Sequence, residues 1–90
     1  MSRSLSLAVA SLVAVSSIQA VAATVINRDA VPRLVSVTTT IGKVDVVVKA
    51  GETLGLCPQG CFMTFPNGDK EALSGGETIE ILDGVGRIQD

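Results

Sequence analysis

Hydrophobic and polar residues alternate with a period of two through the middle of this chain. Between residues 34 and 41, one side of the pattern holds Val35, Val37, Thr39 and Ile41, and the other holds Ser36, Thr38 and Thr40. After Gly42 the alternation resumes, with Val44, Val46 and Val48 on one side, Lys43, Asp45 and Lys49 on the other, and Val47 as the exception. β-Branched residues in this arrangement are typical of half-buried strands. The pattern predicts a hairpin that turns near Ile41–Gly42 and has one solvated face.

Turn-forming residues divide the rest of the chain into segments too short for helices. Clusters of Gly, Pro, Asn and Asp separate ETLGLC, CFMTF, ETIEIL and VGRI, and each of these segments has a length that suits a strand. Asn67–Gly68 and Asp83–Gly84 are typical of two-residue hairpin turns, which need positive φ angles. The sequence therefore predicts an all-β fold, a small antiparallel β-sandwich or partly open barrel of six to eight short strands.

A short internal similarity links two of these segments. AGETLGL and GGETIEI share a small residue, then Gly-Glu-Thr and apolar residues at matching positions. Two copies are too few for a solenoid, which needs at least about three repeats. We interpret them as two strands that begin after similar turns.

The first 23 residues have the order of charge, apolar run and small side chains found in a secretory signal. Arg3 precedes a run rich in Leu, Ala and Val over residues 5–15, but Ser and Gln residues interrupt the apolar stretch. A membrane-spanning helix needs about 20 mostly apolar residues, so a cleaved signal is favoured over a retained anchor. The prediction is a periplasmic or secreted protein that is not held in a membrane after cleavage.

Two cleavage positions satisfy the need for small residues at the −3 and −1 positions. Ala20 and Ala22 would direct cleavage before Ala23, while Val21 and Ala23 would direct it before Thr24. The second is favoured, which leaves a single domain at residues 24–90.

The remaining 67 residues are acidic. The full chain has seven Lys and Arg residues and nine Asp and Glu residues, and loss of Arg3 with the signal leaves a net charge of −3. Neither nucleic acid nor an anionic membrane surface gains affinity from an acidic partner. An unidentified protein partner, or a homodimer formed through an exposed sheet edge or face, is the expected kind of association.

Both cysteines lie in the segment CPQGC, Cys57 to Cys61. Export to an oxidising compartment favours a disulfide between them. If ETLGLC and CFMTF form a hairpin around Pro58–Gly60, the two cysteines face each other across its first rung at about 4.5–5.5 Å, a separation that a disulfide spans. The first hypothesis is therefore a structural disulfide.

Two other uses of these cysteines stay open. Cys57, Cys61 and Met63 form a soft ligand set that suits Cu(I), and the predicted register places all three on one face. Zinc is disfavoured because the chain has no histidine to complete four ligands. A redox role is the third hypothesis, although the C-x3-C spacing lacks the features that lower a thiol pKa.

The segment VINRDAVPRLVSVT, Val25 to Thr38, resembles the early strand-loop-strand of bacterial cupredoxin-like domains. Asn27, Asp29 and Pro32 match that family's Asn-x-Asp-x-x-Pro-His motif, and Arg33 stands in place of the histidine. Its later copper loop is matched only by Cys57 and Met63, with Gly60 at the second histidine's position.

The resemblance implies a β-sandwich, but not a blue-copper site, since both imidazoles are absent. The chain is also similar to small secreted proteins of Gram-negative bacteria, which implies a periplasmic address. From the residues alone, Asn27 and Asp29 are turn formers that cap their own backbone, and Arg33 is a solvated charge or a partner of Asp29 or Asp45.

Catalysis has little support in this composition. The chain has no histidine for general base chemistry and no tyrosine or tryptophan, and Ser36 and Ser74, the serines beyond the signal, lie outside any nucleophile motif. We therefore expect no enzyme activity and no cofactor. The predicted function is a small non-enzymatic binding or structural β-module closed by one disulfide, and the alternative is a Cu(I) binding or carrier protein.

Overall fold

Residues 21–89 are described in a computed structural model of the chain, and within this range the fold is all-β. The eight strands are β1 (Ala23–Asn27), β2 (Arg33–Thr39), β3 (Gly42–Val48), β4 (Thr53–Leu56), β5 (Cys61–Thr64), β6 (Lys70–Leu73), β7 (Thr78–Leu82) and β8 (Val85–Gln89). The predicted fold class and number of strands are confirmed. The apolar run of the predicted signal lies outside the described residues. None of residues 21–89 belongs to a helix of the length and apolarity needed to cross a membrane.

The strands form two four-stranded sheets. One has the order β4-β1-β7-β8 and the other the order β3-β2-β5-β6. All neighbouring strands are antiparallel except β1 and β7, which pair in parallel from Thr24 opposite Thr78 to Asn27 opposite Ile81. A parallel pair joins strands that are distant in sequence. The first strand of the domain is therefore fixed by a strand that begins more than fifty residues later.

The hairpin of β2 and β3 follows the alternation of the sequence. Its register runs from Arg33 opposite Val48 to Thr39 opposite Gly42, which leaves Thr40 and Ile41 as a two-residue turn. Val35 and Val48 are fully buried on its inner face, as the pattern predicts. Nearer the tip, Val44 on the same face of edge strand β3 is 61% exposed.

The core lies between the two sheets and is built from the inner faces of both. Its buried residues are Ala23, Val25, Val35, Val48, Cys57, Met63, Phe65, Leu73, Ile79 and Ile81. Each large aliphatic side chain buried here stabilises the fold by roughly 1.5–3 kcal/mol. Phe65 lies over Gly86 of β8, where a glycine leaves room for the ring.

The two predicted hairpin turns differ in type. Asp83 and Gly84 have φ angles of 56° and 75°, which confirms a primed two-residue turn between β7 and β8. In the turn between β5 and β6, only Gly68 has positive φ, and its N–H donates to the Phe65 carbonyl. The Phe65 N–H also donates to the Asp69 carbonyl, and Asn67 does not have positive φ. The connection is therefore a three-residue loop, with Gly68 in the left-handed position, and not the two-residue turn we predicted.

The predicted hairpin of ETLGLC with CFMTF is wrong. β4 pairs with β1 in one sheet, whereas β5 pairs with β2 and β6 in the other. Cys57 has a φ angle of 60°, and a turn at Pro58–Gln59 follows it, so the chain leaves the first sheet and starts the second. Local patterning identifies both strands correctly, but their partners come from elsewhere in the chain.

Candidate functional site

The disulfide Cys57–Cys61 closes the crossing between the two sheets. The two Cα atoms are 5.7 Å apart, and the Gly60 N–H donates to the Cys57 carbonyl at 3.2 Å. Cys57 is buried, and Cys61 opens the first rung of β5 opposite Leu73. The predicted bond is confirmed, although the cysteines are not opposed across a hairpin rung. The bond therefore ties one sheet to the other at one end of the sandwich.

Met63 lies in the same core cluster as Cys57, and Cys61 packs against that cluster. Met63 occupies the inner face of β5, opposite Val37 of β2, and is fully buried. The sulfur atoms of Cys57 and Cys61 are bonded to each other, so in this state neither is a thiolate ligand. Among residues 21–89, no three His, Cys, Asp or Glu side chains are grouped to hold a metal ion. The three residues of the Cu(I) hypothesis therefore lie together in one part of the core, with the two cysteine sulfur atoms joined in a disulfide.

An apolar cleft opens beside the disulfide. It encloses about 710 Å³ between the tip of the β2–β3 hairpin, the Pro58–Gly60 loop and the adjoining ends of β5 and β6. Its lining residues are Thr38, Thr39, Thr40, Ile41, Cys57, Pro58, Gln59, Gly60, Cys61, Phe62, Ala72 and Leu73. This volume falls in the range of about 300–1,000 Å³ that is usual for small-molecule sites.

The lining of this cleft carries no formal charge. Its polar side chains are three threonine hydroxyls and the Gln59 amide, and the other side chains are apolar. Two of the apolar side chains are unusually exposed: Ile41 at 95% and Phe62 at 57%. An uncharged cleft of this kind can bind apolar surface by the hydrophobic effect and orient a ligand through a few hydrogen bonds.

A cluster of polar residues lies around Asn27, at the end of the sandwich opposite the disulfide. This residue is fully buried, and its Nδ2 donates to the carbonyls of Val31, Val48 and Lys49 at 2.8, 2.9 and 3.2 Å. Its Oδ1 accepts the Asp29 N–H at 2.9 Å. All of these partners are protein backbone. Asn27 therefore fixes the loop after β1 against the end of β3.

Asp29 continues this cluster to the turn between β7 and β8. Its carboxylate accepts the backbone N–H groups of Asp83 and Gly84 at 2.6 and 3.0 Å, and the Arg33 Nε at 2.7 Å. The Asp83 N–H makes the largest contribution to a lowered Asp29 pKa, and the other two donors act in the same direction. Burial opposes them, since the side chain is only 7% exposed, but the donors outweigh it.

The residues that carry the family resemblance therefore form a structural cluster. Arg33 is the ion-pair partner of Asp29, which confirms one of the two partners predicted for it. Asn27 does cap the backbone locally, as predicted, but it also holds distant carbonyl groups that no local pattern identifies. The hydrogen bonds that the structure describes for the Asn27 and Asp29 side chains all have protein partners. This end of the sandwich therefore has a structural role.

The similarity between AGETLGL and GGETIEI has a physical basis. Glu52 accepts the N–H of Lys49, three residues earlier, and Glu77 accepts the N–H of Ser74 at the same spacing, both at 2.8 Å. The N–H groups of Ser74 and Gly75 and the Ser74 hydroxyl lower the Glu77 pKa, with the Ser74 N–H contributing most.

The same two glutamates also fix the ends of β1. The Asn27 N–H donates to the Glu52 carbonyl, and the Thr24 N–H donates to the Glu77 carbonyl. The interpretation of two strands begun by similar turns is confirmed.

The sequence analysis did not identify Ile41 and Phe62 as site residues. A signal for Phe62 was present, because the parity of CFMTF places it on the face opposite Met63, toward solvent. For Ile41 the signal was its position in the predicted turn, where a large apolar side chain is unusual. Assembly of the cleft, however, depends on the crossing from β4 to β5. Comparison with family models, with curated proteins and with solved structures finds no match to this chain.

Proposed function

We propose that this chain is an exported, non-enzymatic binding module that takes an uncharged, mainly apolar small molecule in the cleft beside Cys57–Cys61. The observation that carries the proposal is the cleft itself, about 710 Å³ without a charged side chain in its lining. A charged ligand would lose hydration there without gaining a partner of opposite charge. An apolar ligand loses little and covers Ile41 and Phe62.

Export is supported by two separate features. The first 23 residues carry the signal pattern, and the chain holds its two cysteines as a disulfide. Disulfides persist in oxidising compartments such as the bacterial periplasm. A non-enzymatic role is supported by the sequence, which has no histidine, and by the carboxylates of Asp29 and Glu77, which are directed at the backbone.

The disulfide has a role in this proposal. Pro58, Gln59 and Gly60 form one wall of the cleft, and the Cys57–Cys61 bond closes the loop that presents them. Holding that loop in place before binding lowers the entropy lost when the ligand enters. The oxidised protein is therefore the form that binds.

The test uses a neutral apolar dye, N-phenyl-1-naphthylamine, titrated into the purified protein with fluorescence as the readout. We expect saturable enhancement with one dye per chain. Phe62→Ser should weaken binding by on the order of tenfold, which corresponds to loss of part of an aromatic contact. Leu82→Ser is the matched control, because Leu82 is about as exposed, at 53%, but lies outside the cleft.

Three outcomes of the titration decide the proposal. Loss of binding in Phe62→Ser with retention in Leu82→Ser supports it. Equal affinity in both variants, or no saturable enhancement with the parent protein, overturns it. Binding that is unchanged after reduction of the disulfide refutes the role assigned to the oxidised loop.

A further inference from the structure

The strand β3 presents the longest open sheet edge among the described residues. Within residues 21–89 it pairs only with β2, and it has seven residues, whereas the other edge strands β4, β6 and β8 have four, four and five. Four of its residues are valines, and proline is absent from it. Proteins usually shorten, bend or interrupt such an edge, because its free N–H and C=O groups can pair with another strand.

Three exposed apolar side chains lie on this edge and its turn. Ile41 precedes the strand, and Val44 and Val47 within it are 61% and 56% exposed. The two charged residues of the strand, Lys43 and Asp45, are also exposed and have the same parity. Asp45 accepts the Ser36 hydroxyl at 2.7 Å, and neither residue belongs to an ion pair within residues 21–89.

We infer that two copies of this chain associate through their β3 edges, antiparallel about a two-fold axis at Val44. In this register Val44 lies opposite Val44 of the second copy, and Ile41 lies opposite Val47. Lys43 lies opposite Asp45, and by symmetry Asp45 lies opposite Lys43. Opposed residues on neighbouring antiparallel strands approach to about 4.5–5.5 Å between Cβ atoms, close enough for both apolar contact and charge pairing.

The charges select this register from the alternatives. A two-fold axis at Lys43 or at Asp45 would place that residue opposite its own copy, and like charges in that position are destabilising. An axis at Val46 would bring Lys43 opposite Lys49. An axis at Val47 would pair Asp45 with Lys49, but it would leave Lys43 without a charged partner and Ile41 and Val44 uncovered.

The association produces one continuous sheet of eight strands across the two copies. Its order is β6-β5-β2-β3 followed by the same strands of the second copy in reverse. The occupant of the edge is a second copy because the strand is self-complementary in both charge and apolar positions. A partner of different sequence would need an acidic residue opposite Lys43, a basic residue opposite Asp45 and apolar residues opposite Val44 and Val47.

The experiment measures self-association of the protein, expressed as the full chain and purified as the cell processes it, by sedimentation equilibrium. Lys43→Glu and Asp45→Lys should each weaken the dimer by on the order of tenfold, since each change creates two like-charge pairs. The double variant Lys43→Glu/Asp45→Lys should restore the parent dissociation constant. Lys70→Glu, in edge strand β6, is the control and should leave it unchanged.

Retention of the fold is checked by thermal unfolding of every variant. A protein that stays monomeric at millimolar concentration overturns the inference. So do single charge reversals without effect, or a dimer weakened by Lys49→Glu and not by Lys43→Glu. The dimer and the apolar cleft share Ile41, but their tests alter different residues: the dye titration changes Phe62, and the self-association measurement changes Lys43 and Asp45.

Discussion

The carboxylate of Asp29 accepts the backbone N–H of Asp83 at 2.6 Å, across 54 residues of sequence. Together with Gly84 and Arg33, this bond connects the loop after β1 to the turn between β7 and β8. Because β1 and β7 already pair in parallel, the carboxylate fixes the position at which the β7–β8 hairpin turns.

This relationship predicts how stability depends on pH. The pKa values of Asp29 and Glu77 are both lowered in the folded protein, from ordinary values of 3.8 and 4.5. A lowered carboxyl pKa contributes stability that is complete above the unfolded pKa and is lost as pH falls through the folded one. The thermal midpoint should therefore be nearly constant from neutral pH to about pH 5 and should fall progressively below it.

Asp29→Asn tests the contribution of this one carboxylate. The variant should have a lower thermal midpoint at pH 7 and a shallower decline in acid, because the amide is uncharged and has one acceptor oxygen in place of the two that bind the N–H groups and Arg33. Glu71→Gln, at an exposed position of β6, is the control and should follow the parent curve. An Asp29→Asn curve that overlies the parent at every pH would refute the assignment.

The buried amide of Asn27 predicts a second stability effect. Asn27→Ala removes a fully buried amide that donates to three carbonyl groups and accepts one N–H, and of these carbonyls that of Lys49 keeps the Glu52 N–H as a donor. The expected loss is about 2–4 kcal/mol in the free energy of unfolding. Asn67→Ala removes an exposed amide that bonds Asp69 in a turn, and should cost less than about 1 kcal/mol. Urea denaturation of both variants measures the difference, and equal losses would contradict the role given to Asn27.

The disulfide predicts the effect on stability of replacing both cysteines. Closing a loop of about five residues restricts the unfolded chain by about 2 kcal/mol, so Cys57→Ser/Cys61→Ser should be less stable by about that amount. Thiol titration of the denatured, unreduced parent should detect no free sulfhydryl. A parent protein that titrates two thiols, or a double variant of unchanged stability, would show that the bond does not form in the purified protein.

The contact of Phe65 with Gly86 predicts an overpacking effect. A Cβ atom added at Gly86 would lie 2.5 Å from the Phe65 ring, so Gly86→Ala should destabilise the fold by about 1–3 kcal/mol. Gly55→Ala is the control, because a Cβ atom there meets only Ala22 at 3.4 Å. In chemical denaturation the control should be neutral or slightly more stable than the parent. If both variants behave alike, the ring does not pack as described.

Much of this architecture could be predicted where a local pattern is sufficient. The alternation of apolar and polar residues predicted the β2–β3 hairpin, and the Asp83–Gly84 pair predicted the turn between β7 and β8. The pairing of β4 and β5 could not be predicted, because both segments have strand patterns that suit a neighbouring hairpin. Which strands β4 and β5 pair with depends on long-range contacts, of β4 with β1 and of β5 with β2. Positive φ at Cys57, a residue that seldom adopts it, had no local signal.

The same limit applies to the candidate site. The cysteines could be paired from sequence because only one intramolecular connection exists and three residues lie between them. The cleft could not be predicted, since Ile41 lies in the β2–β3 turn and Phe62 in β5, and both meet the Pro58–Gly60 loop only after the chain changes sheets. The side chains that line the cleft are decided by which distant strands pair with each other, and not by the chemistry of the residues.

For the cleaved signal that we propose, the start of β1 predicts which of the two cleavage positions is used. Ala23 is fully buried and pairs with Leu56, while Val21 precedes the strand and is exposed. A protease needs an accessible, unpaired segment, so the bond between Ala22 and Ala23 is the better substrate in a chain that has begun to fold.

The geometry therefore predicts a product that begins at Ala23, one residue earlier than the start favoured by the sequence alone. Intact-mass measurement of the exported protein distinguishes the two, because they differ by one alanine. A product that begins at Thr24 would show that cleavage is decided before β1 pairs with β4 and β7. A chain of all 90 residues in a membrane fraction would refute export by a cleaved signal.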